Sequence, residues 1–64
     1  MPYIAITMLE GRTPEQKRKV VERVTQTMVE ELGTKREAVT IAFVEVSPAD
    51  YAQGGVLVLD RQKS

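Results

Sequence analysis

The feature that most constrains this sequence is the absence of both cysteine and histidine from a chain of only 64 residues. A domain of this size buries a small fraction of its surface and commonly needs a disulfide, a structural metal or oligomerisation to be stable. Without cysteine there are no disulfides or thiolate zinc sites, and without histidine the commonest metal ligand is missing. We therefore expect no metal site, and an oligomer whose subunits share one core.

Charge and hydropathy argue against two large classes of protein. Nine basic and nine acidic residues balance each other, whereas a nucleic-acid-binding domain normally carries a basic face. No apolar run approaches the length of a membrane span, and the N-terminus lacks the basic-then-apolar layout of a signal peptide. We expect a cytoplasmic protein that binds neither nucleic acid nor membrane.

Two apolar segments flank one long amphipathic segment. Alternating residues predict a strand from Pro2 to Leu9, apolar enough on both faces to be covered on both sides, and a second strand from about Val39 to Val46. Between them, apolar residues at spacings of three and four predict a helix from about Pro14 to Leu32. This order predicts a single β-α-β unit with parallel strands and a right-handed crossover, an α/β (α+β) fold that occupies residues 1–64 as one domain.

The ends of the helix carry specific signals. Thr13 and Gln16 match a capping box, Pro14 suits the first helical position, and Gly33 is a common residue just past a helix end. These signals make the helix the best-defined element of the sequence.

The C-terminal part predicts one further short strand or hairpin. Gly54 and Gly55 mark a turn and precede the apolar run from Val56 to Leu59. A lone subunit of this size offers little to cover such a strand. We therefore expect it to pair with the sheet edge of a neighbouring subunit.

Pro2 is the unusual candidate for a general base. Removal of Met1 would leave proline as the N-terminal residue, and its ring nitrogen would then be a secondary amine. An internal proline nitrogen is an amide and has no basicity. Terminal amines titrate close to neutrality, so the proton-accepting form is within reach at physiological pH.

The residues from Pro2 to Lys17, PYIAITMLEGRTPEQK, resemble the opening of the 4-oxalocrotonate tautomerase family. The resemblance extends to the aromatic residue and paired glycines of Tyr51 to Gly55, and so covers nearly the whole chain. It implies a cofactor-free isomerase that moves a proton within a small enol or dienol carboxylic acid to give the keto form. It also implies a hexamer, built as a trimer of dimers.

The resemblance further implies the roles of individual residues. Pro2 is then the catalytic base, Arg12 binds the substrate carboxylate across a subunit boundary, and Leu9 and Tyr51 border the substrate. One position departs from the family pattern. Thr40 stands where members that isomerise the diacid 2-hydroxymuconate carry a second arginine.

This departure leaves the substrate and the role of the chain open. Thr40 can contact a substrate by a hydrogen bond but cannot neutralise a carboxylate, and Arg36 is the nearby candidate to replace the missing cation. A mono-acid such as phenylenolpyruvate then becomes an alternative to a diacid. The chain could instead be a non-catalytic partner that lends Arg12 to a heterohexamer, rather than the subunit of a homohexamer. It could also be a small-molecule binding module without turnover.

Overall fold

The computed structural model describes residues 1–61 and contains one β-α-β unit followed by a small hairpin. In chain order, the elements are β1 (Tyr3–Leu9), α1 (Pro14–Leu32), a 3-10 turn (Arg36–Ala38), β2 (Thr40–Val46), a second 3-10 turn (Pro48–Asp50), β3 (Ala52–Gln53), β4 (Val56–Leu57) and α2 (Val58–Arg61). Strands β1 and β2 are parallel, and β3 and β4 form an antiparallel hairpin. The predicted fold class is confirmed.

Helix α1 begins and ends where the sequence predicts. The Thr13 hydroxyl accepts a 3.1 Å hydrogen bond from the Gln16 backbone N–H, and the Gln16 side chain accepts a 3.0 Å bond from the Thr13 N–H. Both halves of the capping box are therefore formed. Gly33 ends the helix at a φ of 66°, a left-handed value that glycine adopts without steric cost, and its N–H donates to the Val29 carbonyl at 3.1 Å.

Helix α1 packs against one face of the β1–β2 sheet. Lys17 of the helix marks this contact, since its Nζ lies 2.8 Å from Glu45 Oε2 and 5.6 Å from the centre of the Phe43 ring. Side chains alternate between the two faces of a strand, and the register places residues of the two strands side by side. The helix-facing residues are Ile4, Ile6, Met8, Ile41, Phe43 and Glu45.

Residues 1–61 do not cover the other face of the sheet. On this face Tyr3 is 66% exposed and Val44 is 46% exposed, and no residue within 1–61 is fully buried. The radius of gyration is 15.2 Å, compared with about 11 Å for a compact domain of this length. The predicted covering of β1 on both sides is therefore absent from the single chain, which has no closed hydrophobic core in the part described.

The predicted strand from Val56 to Leu59 is wrong in its extent, and its pairing with the sheet edge of a neighbouring subunit stays a prediction. Strand β4 ends at Leu57 and pairs with β3 of the same chain. Gly54 and Gly55 have φ values of 61° and 80°, the positive angles that a tight two-residue hairpin turn requires at both positions. The backbone then turns into α2, and the Val58 N–H donates to the carbonyl of Tyr51 at 2.8 Å.

Neither helix in the described part of the chain is both long and apolar enough to cross a membrane.

Candidate active site

Leu9, Arg12 and Tyr51 line one surface groove of about 470 Å³. The groove lies at the carboxyl end of β1, and Met8, Glu10 and Gly11 complete its lining. The structure thus brings together three of the residues that the sequence predicts for substrate binding. A cation stands beside apolar and aromatic walls, an arrangement that suits a small organic acid.

The turn between β1 and α1 presents Arg12 to this groove. The Glu10 N–H donates to the Val46 carbonyl at 2.9 Å, so the parallel ladder extends beyond the end of β1. Gly11 then takes a φ of 121°, which a residue with a side chain would adopt only with strain. The exposed Arg12 side chain makes no hydrogen bond or ion pair with another residue within 1–61. Its guanidinium can therefore offer two parallel N–H donors to a carboxylate.

The hairpin behind Tyr51 is fixed by Arg61. The Arg61 guanidinium donates to the Gln53 carbonyl at 2.7 Å and to the Gln53 side-chain oxygen at 3.3 Å. The Tyr51 carbonyl itself accepts the hydrogen bond from Val58 described above. Tyr51 is 43% exposed and borders the groove. These hydrogen bonds hold the segment that follows it.

Pro2 and Thr40 lie together at the other end of the sheet. The Thr40 N–H donates a 3.0 Å hydrogen bond to the Pro2 carbonyl oxygen, and β1 begins at the next residue. Pro2 is partly buried, whereas Met1 is fully exposed. Removal of Met1 would turn the Pro2 ring nitrogen into a secondary amine.

One chain does not bring Pro2 and Arg12 into the same site. Strand β1 spans seven residues between them, and at roughly 3.3 Å per residue Pro2 and Leu9 stand about 23 Å apart. Arg12 lies beyond Leu9. The predicted site residues thus form two groups at opposite ends of the sheet, with Pro2 and Thr40 in one group.

Arg36 belongs to neither group. Its guanidinium donates to Glu22 at 2.8 Å and to the Gln26 side-chain oxygen at 2.7 Å, so the side chain lies against α1. Gln26 in turn donates to Glu30 at 2.7 Å. No local pattern in the sequence pairs Arg36 with these residues. The spacing of four residues between the three helix positions indicates a polar stripe, but nothing local in the sequence shows that Arg36 meets it.

A second, smaller groove of about 320 Å³ runs between the sheet and the first turns of α1. Arg12 lies on its rim as well, and apolar residues form most of its lining. Its lining residues are Ile6, Met8, Arg12, Gln16, Lys17, Val20 and Phe43. Within residues 1–61, no cluster of three or more acidic side chains is arranged to hold a metal ion.

Comparison with known proteins identifies the family. The family model described as "Tautomerase enzyme" matches residues 2–61. The 2-hydroxymuconate tautomerase of Bacillus subtilis is 40% identical over 62 residues, which cover 97% of this chain and 100% of that protein.

Solved structures agree in fold. TomN, a 4-oxalocrotonate tautomerase homologue in the tomaymycin biosynthetic pathway, is 38% identical with a TM-score of 0.93, and the match covers 98% of this chain and 97% of TomN. A heterohexamer 4-oxalocrotonate tautomerase from Chloroflexus aurantiacus is 28% identical with a TM-score of 0.87, over 94% of this chain and 97% of that one. Sequence and fold thus agree over nearly the whole length, and the chain belongs to the tautomerase family.

Proposed function

We propose that this chain is a cofactor-free tautomerase that converts small enol or dienol carboxylic acids to their keto isomers. The observation that carries the proposal is the groove shared by Leu9, Arg12 and Tyr51. In it, a guanidinium with no hydrogen-bond or ion-pair partner among residues 1–61 lies beside apolar and aromatic side chains. Family membership supports the reaction class. The groove supports the substrate class, because Arg12 suits a carboxylate and the walls suit an unsaturated carbon chain.

Pro2 is the general base of the proposed reaction, after Met1 has been removed. Its neutral ring nitrogen accepts the proton of the enol hydroxyl, and the O–H electron pair forms the new carbonyl. The electron pair of the carbon–carbon double bond then takes a proton back from the prolinium, which gives the keto acid and restores the neutral amine. General acid–base catalysis of this kind contributes about a hundredfold to ten-thousandfold to a rate.

The proposed site is shared between subunits. Because Pro2 and Arg12 stand about 23 Å or more apart along one chain, Pro2 of one subunit must meet the Leu9–Arg12–Tyr51 groove of another. The uncovered sheet face, with Tyr3 and Val44 exposed, supports assembly into a homohexamer or heterohexamer. Contacts between subunits would also form the hydrophobic core that residues 1–61 of a single chain lack.

Thr40 favours a substrate with one carboxylate. The backbone N–H of Thr40 is hydrogen-bonded to the Pro2 carbonyl, but the Thr40 side chain cannot neutralise a second carboxylate or a developing enolate. Loss of a charge-stabilising contact in a transition state typically costs about 2 to 4 kcal/mol. We therefore propose that a mono-acid such as phenylenolpyruvate is turned over faster than the diacid 2-hydroxymuconate.

A second candidate function is that of a partner subunit in a heterohexamer. The replacement of a cation by Thr40 favours it, since such a subunit would lend Arg12 to sites whose base lies elsewhere. The heterohexameric relative from Chloroflexus aurantiacus supports this type of assembly within the family. In this case the purified chain is inactive alone and becomes active with a homologous subunit.

The test is ultraviolet-monitored ketonisation of phenylenolpyruvate and 2-hydroxymuconate, with protein whose intact mass shows that Met1 is absent. The proposal predicts turnover that falls about a hundredfold or more in the Pro2→Ala variant. Unchanged turnover in that variant would refute the assigned base. No turnover by the wild type would favour the partner subunit, and substrate-dependent thermal stabilisation without turnover would favour a binding module.

A further inference from the structure

We propose that Arg36 is a positioning residue for Pro2. Arg36 acts through its contacts with Glu22 and Gln26 on helix α1, here called the clamp, and not as a ligand of the substrate. The inference rests on the function proposed above, because it concerns the placement of the same base. It assigns a role to the cation closest in sequence to Thr40, the position at which the family's second arginine is missing.

The clamp consists of two charge-assisted contacts on one guanidinium. Arg36 donates to Glu22 at 2.8 Å and to Gln26 at 2.7 Å, and the two acceptors stand one helical turn apart on α1. Glu30 accepts from the Gln26 amide nitrogen at 2.7 Å, which turns the amide oxygen towards Arg36. The planar guanidinium suits two acceptors at once. With both contacts made, the side chain is held on the helix surface.

Backbone hydrogen bonds connect the clamp to Pro2. The Arg36 carbonyl accepts from the Val39 N–H at 3.2 Å, which closes the 3-10 turn. The next N–H along the chain, that of Thr40, donates to the Pro2 carbonyl at 3.0 Å. The side chain of Arg36 therefore fixes the turn on α1, and the turn fixes the donor that holds Pro2.

The Thr40 N–H matters more for the placement of Pro2 than a single backbone donor does for an ordinary strand residue. After Met1 removal, no residue precedes Pro2, so no peptide bond on its N-terminal side holds it in place. Its carbonyl contact with Thr40 then anchors the residue that bears the reacting nitrogen. An error of about 1 Å in the position of a reacting group can lower a rate about a hundredfold.

Four variants test the proposal: Arg36→Met, Arg36→Lys, Glu22→Gln and, as a matched control, Lys35→Met. Lys35 is the exposed neighbour of Arg36 and makes no side-chain hydrogen bond or ion pair with another residue within 1–61. Amide hydrogen exchange at Thr40 reports the clamp directly, whether or not the protein is active. Steady-state kinetics with both acids reports its effect on the base.

For Arg36→Met we expect exchange at Thr40 to accelerate and kcat to fall about tenfold with both acids, while KM stays within about twofold, since placement of the base and not carboxylate binding is affected. Glu22→Gln should raise the exchange rate at Thr40 and lower kcat by smaller amounts. Arg36→Lys should retain more of the wild-type kcat than Arg36→Met. Lys35→Met should match the wild type.

Two results would overturn the proposal. One is exchange at Thr40 in Arg36→Met equal to that of the control, because the clamp would then not hold the turn. The other is a rise in KM confined to the diacid with kcat retained, because Arg36 would then be a substrate ligand. If the wild type shows no turnover, the proposed function fails, but the exchange measurement still decides whether Arg36 holds the hydrogen bond to Pro2.

Discussion

The Thr40 N–H and the Pro2 carbonyl oxygen are joined by a 3.0 Å hydrogen bond at the amino end of the sheet. This contact places the proposed base beside Thr40, the position at which the family resemblance implies a second arginine in members that isomerise a diacid. The groove with Arg12 lies at the opposite end of the same two strands. The chemistry proposed here therefore requires two chains, and this requirement can be tested with mixed subunits.

Subunit mixing should restore activity to two impaired variants. At substrate concentrations well below the wild-type KM, Pro2→Ala and Arg12→Ala should each lose most of the activity as single species. Co-refolding at equal amounts should recover about a quarter of the wild-type rate, because each intersubunit site draws the two residues independently from different chains. The recovered rate is measured by ketonisation after the mixed assembly has been isolated by size. If Pro2 and Arg12 acted within one chain, no mixed site would be intact and the rate would stay at background.

Replacement of Arg12 should weaken substrate binding. A hydrogen bond to a charged group is worth about 1.5 to 3 kcal/mol, so Arg12→Ala should raise KM roughly tenfold to a hundredfold. The KM of Arg12→Lys should lie between those of the wild type and Arg12→Ala, since lysine keeps the charge but cannot make the bidentate contact. Arg18→Ala is the matched control, because Arg18 is an exposed arginine on the nearby first turns of α1. Equal KM values for Arg12→Ala and Arg18→Ala would remove Arg12 from the site.

Stability should depend on protein concentration. No described residue is buried within the single chain, so most of the hydrophobic stabilisation must come from contacts between chains, and Tm should rise with concentration. Val44→Asp places a charge on the uncovered sheet face and should produce smaller assemblies with a lower Tm. Sedimentation and thermal unfolding at several concentrations measure both effects. Lys19→Asp, on the exposed surface of α1, should leave the assembly size and Tm nearly unchanged. Equal assembly sizes and equal Tm values for Val44→Asp and Lys19→Asp would contradict this account.

The sequence predicts the helix better than any other element. The capping box at Thr13 and the glycine at position 33 are local signals, and both helix bounds agree with the structure. Strands β1 and β2 each begin one residue later than predicted, at Tyr3 and Thr40. Strand ends depend on the pairing of two segments distant in sequence, so local patterns define them less well.

The C-terminal error has a tertiary cause. The run of apolar residues after Gly55 favours a strand by composition, but a hairpin with a two-residue turn leaves only Ala52 and Gln53 to pair with it. Once Val58 bonds to Tyr51, the chain continues as a helical turn. Neither contact is visible in the local pattern.

The sequence suggests residues for the candidate site but does not define how they are arranged. Resemblance to a family points to Leu9, Arg12 and Tyr51, and the structure gathers these three around one groove. The separation of Pro2 from them follows from the strand predicted between Pro2 and Leu9, whereas no local pattern shows that Tyr51 lies beside Leu9 and Arg12. The sequence also does not reveal that Arg36 is held on α1, because its partners are 10 and 14 residues away in the chain.

The central claim is that the ring nitrogen of Pro2 is the base, and one measurement tests it most directly. The ketonisation rate of phenylenolpyruvate is compared for two preparations of the same sequence, one with Met1 removed and one with Met1 retained, each verified by intact mass. Both contain the same residues from Pro2 onwards. They differ in the presence of Met1 and, as a result, in whether the Pro2 nitrogen is an amine or an amide. The account predicts turnover that is present with Met1 removed and absent with Met1 retained. Equal rates in the two preparations would contradict it, because an amide nitrogen cannot accept the proton.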